Sequence, residues 1–147
     1  MNENQQNTGM DDFTRKYLYV LLALALAGSV WWLSGLDSKV SALNKVLQAD
    51  VELANYTYQF RVISLKNGAA EISSPRSSDM PAIQSLRIMF PELQHSSVTS
   101  EEVMATQDEL ARLQKKAGAL VESQQDVNTV RWVLDRKWLA KHGVYLD

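Results

Sequence analysis

Cysteine is absent from all 147 residues. No disulfide can staple the chain, and no thiolate is available as metal ligand or nucleophile. Histidine is scarce. His95 and His142 stand far apart, so neither has a second imidazole at metal-binding spacing. Positive charge is not in excess either: 15 Lys and Arg face 17 Asp and Glu, for a net charge of −2. A nucleic-acid binder is expected to show a basic surplus. The phosphate-cradling glycine loop, the G-x-S-x-G elbow and the H-E-x-x-H pair do not occur. The carboxylate pairs Glu101–Glu102 and Asp108–Glu109 are sequence neighbours, which point to different sides of one helix instead of converging. The expectation is a protein that is not an enzyme, with no cofactor, no metal and no nucleic-acid partner.

What the chain does have is one long uncharged run, YLYVLLALALAGSVWWLSGL over residues 17–36. At about 1.5 Å per residue such a helix spans roughly 30 Å, the thickness of a bilayer's hydrocarbon core. Arg15 and Lys16 bound it on one side and Asp37 on the other. Trp31 and Trp32 lie near its second end, where indoles favour the membrane interface. These features predict a transmembrane helix held in lipid by residues 17–36, with Arg15, Lys16, Trp31 and Trp32 at the interfaces. The rival is a signal peptide cleaved after Ala25-Leu26-Ala27, but the apolar run continues past that point through Val30 to Leu33. Arg15 and Lys16 sit against the span, whereas Lys39 and Lys45 stand off on the other side. The charge rule and the short tail together predict the N-terminus in the cytoplasm and the C-terminal domain in the periplasm or outside. Ala23 and Ala27, four apart, would allow a second helix to approach closely.

Residues 1–16 begin MNENQQNTGMDD, too polar to bury enough surface to order themselves, and read as a disordered tail. From residue 37 to 54 the period remains helical. Leu36, Val40, Leu43 and Leu47 follow spacings of four and three, with Val51 four further on, which predicts an amphipathic stalk. Two clean heptads are short for a coiled coil, so this stripe either forms a dimer seam or packs on the chain's own domain.

Residues 55–147 read as one small α+β domain. Tyr56 to Leu65 alternates aromatic and β-branched residues and predicts a strand. Asn67-Gly68 predicts a tight hairpin turn, and Ala69 to Ser73 the returning strand. The residues around 82–90 fit a helix with Ile83, Leu86 and Phe90 on one side, or a strand with Leu86, Ile88 and Phe90 alternating. Asp79 and Pro81 fit the start of that helix and Pro91 its end. Thr99 and Glu102 form a capping box that opens a long helix reaching about Ser123. The width of its apolar stripe suits packing on a sheet. Val130, Trp132 and Leu134 mark a third strand. Asp135 caps a last short helix that Gly143 ends.

One cluster stands out. Arg131, Arg136, Lys137, Trp138 and Lys141 gather near the C-terminus, either as solvated residues around core tryptophans or as a basic-aromatic partner surface. The plan of short tail, single span, helical stalk and small α+β domain is similar to that of the bitopic assembly subunits of bacterial secretion and pilus machines, in plan alone and through no shared motif. That likeness implies an inner-membrane interaction subunit, with other envelope proteins or a second copy as partner. The alternative expectation is a membrane-anchored small-ligand sensor that acts through a separate protein.

Overall fold

The structure, a computed structural model, describes residues 12–146, except for the side chains of Asp12, Leu33, Ser34, Leu36 and Asp37. Most of the expected tail, and Leu36 of the expected stripe, therefore lie outside the described residues. The chain is mixed α and β. It divides into two units, with the boundary between Asp37 and Ser38.

Helix α1 (Asp12–Ala49) starts in the first unit and ends in the second, and Asp12–Lys16 of the expected tail are already helical. From Phe13 to Trp32 the helix is long and apolar enough to cross a membrane. Each of those twenty side chains is exposed, Leu24 by 64% and Trp31 by 83%. Among the described residues the first unit has no buried side chain that would form a core to receive them.

The second unit holds a three-stranded sheet in the order β1-β2-β3, formed by β1 (Val62–Lys66), β2 (Ala69–Ser74) and β3 (Thr129–Leu134). β1 and β2 pair antiparallel through the expected hairpin. Lys66 faces Ala69 across Asn67 (φ 50°) and Gly68 (φ 78°), the two positive φ values that a type I′ turn needs. β3 joins β2 in parallel, in continuous register from Ala69↔Thr129 to Ser74↔Leu134. That pairing requires a crossover, which is helix α3 (Ala82–Met89), a 3-10 turn (Pro91–His95) and helix α4 (Glu101–Glu122). Helix α4 lays Leu110, Leu113, Ala117 and Val121 into a core shared with Ala70 and Ile72 of β2.

Several expectations need correction. Residues 56–61 do not join the ladder, which opens only at Val62 and is disturbed between Val62 and Ser64. The Gln59 side chain donates to the Ala54 and Tyr56 carbonyls and holds the preceding segment as a series of bends. The alternation nevertheless places Tyr58, Phe60 and Val62 in the core. Residues 82–89 form the expected short helix, which leaves the strand alternative aside. Pro81 is the residue before the helix, with no side-chain cap from Asp79. Helix α4 is capped by Ser100, whose hydroxyl accepts from the Val103 N–H. The Thr99–Glu102 capping box does not form, because Thr99 lies one residue too early.

The stalk also departs from one continuous helix. Asp50 breaks it: its carboxylate accepts from the Glu52 and Leu53 N–H groups and starts the short helix α2 (Val51–Asn55). Leu43 and Leu47 are buried in the domain core, and Val40 packs against it. Val51, the next member of the stripe, is 72% exposed because the break turns it outward. The stripe therefore follows the own-domain alternative at Val40, Leu43 and Leu47.

Candidate interaction surface

The strongest polar node of the second unit is built where β3 ends. Asp135 follows the strand, and its N–H donates to the Ser74 carbonyl at 2.8 Å, continuing the β2–β3 ladder. Its side chain is only 5% exposed and fully engaged. Oδ1 accepts from the Trp138 N–H at 3.0 Å, which caps helix α5 (Arg136–Lys141). Oδ2 accepts from Arg61 Nη2 at 2.6 Å and from the Tyr58 hydroxyl at 3.1 Å. A buried carboxylate is tolerable only when paired and hydrogen-bonded in this way. Burial, with the Asp135 charge adding to it, pushes the Tyr58 hydroxyl well above its usual range, so it remains a donor.

Beside this node lies a cleft of about 340 Å³. Asn44 and Arg61 line one side, Ile63 and Leu134 supply apolar wall, and Arg136 and Lys137 border it. Asn44 has a second task. Its side-chain amide donates to the Val62 carbonyl at 2.9 Å and accepts from the Val62 N–H at 2.8 Å, as a neighbouring strand would.

Of the basic-aromatic cluster expected from sequence, Arg131, Lys137 and Lys141 are exposed and make no ion pair among the described residues. Arg136 Nη1 reaches the Leu146 carbonyl at 3.4 Å. Trp138 is half-buried. Its ring stands edge-on to Tyr58 (centroids 5.3 Å, 86°) and tilts onto His142 (4.5 Å), packed against the core. Trp132 is the more exposed indole at 37%, with one edge against Phe60 and another beside Gly118.

On another side of the domain, Tyr56, Phe90, Leu93 and Glu109 line a shallow cleft of about 380 Å³. The Tyr56 hydroxyl is buried without a hydrogen-bond partner, and its pKa is pushed up to about 12 by burial and by the Glu109 charge. Nearby, helices α2 and α4 are tied by exposed ion pairs. Arg112 Nη2 meets Glu52 at 2.9 Å and Glu109 at 2.8 Å, while Lys116 meets Asp50 at 2.9 Å and also Glu52.

In the first unit, Arg15, Lys16, Ala23, Ala27, Trp31 and Trp32 are all exposed on α1. The Ser29 hydroxyl donates back to the Ala25 carbonyl at 2.7 Å, so it is satisfied within the helix. Among the described residues no group of three or more His, Asp or Glu side chains is placed to hold a metal.

Sequence reasoning missed the Asp135–Arg61–Tyr58 node because its members stand 74 and 77 positions apart. The one available signal was Asp135 itself, assigned only a capping role. No family model, curated protein or solved structure matches this chain.

Proposed function

We propose that this chain is a non-enzymatic, single-pass membrane protein of the bacterial inner membrane, whose α+β domain docks another envelope protein on the far side. The observation that carries the proposal is the run of twenty exposed, mostly apolar side chains from Phe13 to Trp32, joined to a domain that buries its own apolar residues. Such a helix needs an apolar surrounding, and lipid supplies one. Docking is supported by Lys137, which borders an apolar-walled cleft, and by Arg131 and Lys141, exposed like it and without an ion pair among the described residues. Arg15 and Lys16, adjacent to the start of the span, support a cytoplasmic tail and a periplasmic domain.

Mild detergent extraction of native membranes, followed by mass measurement and identification of co-purifying proteins, tests the proposal. We expect an intact chain that alkaline carbonate does not strip from the membrane, recovered with at least one envelope protein. A soluble product beginning after Ala27 would replace the anchor with a cleaved signal. A lone monomer under every mild extraction would remove the docking role.

A sensor reading has one observation in its favour, the unpartnered Tyr56 hydroxyl at the 380 Å³ cleft. A metabolite that raises the melting temperature of the intact protein, and loses that effect in Tyr56→Phe, would favour it over docking.

A further inference from the structure

The two edges of the sheet are treated differently by the chain. On β1, the Asn44 amide occupies both backbone groups of Val62 and closes the start of that edge. On β3 nothing equivalent occurs. The Asp135 N–H bonds to Ser74 of β2, so with a period of two the backbones of Arg131 and Val133 also turn toward β2. The N–H and C=O groups of Val130, Trp132 and Leu134 then face away from the sheet. No described hydrogen bond reaches them from outside it. β3 runs six residues with no proline and no break in register, and Thr129, Arg131, Trp132 and Val133 are exposed. Proteins usually blunt such an edge with bulges, proline or a covering element.

Charge selects what this edge accepts. Arg131 is the only charged residue on β3, and Arg136 and Lys137 follow its end. Across the ladder Arg131 faces Glu71, whose carboxylate accepts from the Ser64 hydroxyl at 2.7 Å and makes no ion pair with Arg131 among the described residues; Asp126 pairs with Lys39 at 2.8 Å and Asp135 with Arg61. A second copy paired edge to edge about a two-fold axis would bring both Arg131 side chains to one face of the joined sheet, where like charges repel. An extended acidic segment meets no such penalty. We propose that the open edge of β3 accepts an extended, glutamate- or aspartate-bearing segment of a partner protein as a fourth strand. Its backbone would bond to Val130, Trp132 and Leu134, and its carboxylates would face Arg131 and the Arg136–Lys137 end. This rests on the docking reading above and gives it a surface and a partner chemistry.

The test uses the full chain in lipid nanodiscs and two blocked eight-residue peptides. One alternates threonine and valine with two glutamates, and the other has lysines in their place. Hydrogen exchange is read amide by amide. The glutamate peptide is expected to slow exchange at Val130, Trp132 and Leu134 by about ten-fold or more, with Arg131 and Val133 unchanged, since those are already bonded to β2. The lysine peptide is expected to bind several-fold more weakly. Arg131→Glu, at an exposed position, should reverse that order, with a small fall in melting temperature because the new carboxylate faces Glu71 across the ladder. Protection of no even-numbered amide, or equal protection by both peptides, would overturn the proposal. So would protection that rises with protein concentration alone together with a doubled mass, which would make a second copy the occupant. The two readings fail separately. If Arg131→Glu still recovers the same partners from membranes, docking stands without this edge. If the unaltered chain recovers none, docking falls whatever the peptides do.

Discussion

Leu47→Ala separates the two uses that the stalk stripe had open to it. Leu47 is 2% exposed and belongs to the domain core, with Leu43 one turn earlier at 5%. Truncating a leucine so deeply buried removes its transfer free energy and leaves a cavity, for about 3 kcal/mol within a range of 2–5. For a domain of this size that lowers the melting temperature by roughly 10–20 °C. Near-UV circular dichroism of the full chain in detergent reads it, because Trp132 packs on Phe60 and Trp138 on Tyr58. Mass by light scattering should stay constant. Val51→Ala is the internal control: it extends the same sequence stripe but is 72% exposed, so its effect should stay within about 0.5 kcal/mol. A Leu47→Ala protein that melts normally but loses mass would refute the core assignment and restore the seam. Equal effects at Leu47 and Val51 would refute the break at Asp50.

Three further outcomes follow from the packing. Tyr58→Phe removes one of the donors to Asp135 Oδ2 and should destabilise by about 1 kcal/mol in denaturant titration, while the remaining Arg61 contact keeps the carboxylate paired. Gly68→Ala should cost at least about 1 kcal/mol in the same titration, because φ is +78° and the new Cβ would lie 2.3 Å from Asn128 Nδ2. The Asp50 carboxyl is held low first by Lys116, and the Glu52 carboxyl first by Arg112. Their contribution is therefore present above the ordinary carboxylate range and lost as pH falls through the lowered values. Lys116→Gln should lower the melting temperature at pH 7, and the gap to the unaltered protein should narrow as pH falls through the lowered values and these carboxylates take up protons.

What was legible in the sequence was local. The Asn67-Gly68 hairpin, the apolar run, the long helix and the third strand each rest on period or turn chemistry carried by adjacent residues. The errors arose where two local signals overlapped or a distant group decided. Thr99 and Ser100 both can cap, and the Ser100 hydroxyl reaches Val103 in the structure. Tyr56–Phe60 alternates like a strand and buries like one at Tyr58 and Phe60, but Gln59 takes the nearby carbonyls and the ladder waits until Val62. Val51 continues a perfect spacing that Asp50 interrupts by capping a new helix. A carboxylate one residue before the expected apolar position was visible; that it would stop the helix was not, because aspartate is also tolerated on exposed helix faces.

The candidate surface was half legible for a related reason. Composition marked Arg131, Arg136, Lys137 and Lys141, and all are exposed. Trp138 is half-buried instead, because Tyr58, from the other end of the domain sequence, packs edge-on against its ring. The parallel addition of β3 to β2 was beyond sequence reasoning, since alternation marks a strand without telling its neighbour. Yet that pairing makes Thr129–Leu134 an edge and not a central strand. A central strand would have had both rows of backbone groups satisfied, and Arg131 would have been an isolated surface cation. As an edge, the same six residues present three unpaired backbone pairs with a cation among them. The charge that composition flagged thus gains a place only from topology: Arg131 lies on the outer strand of the sheet, which is the ground for the acidic partner strand proposed above.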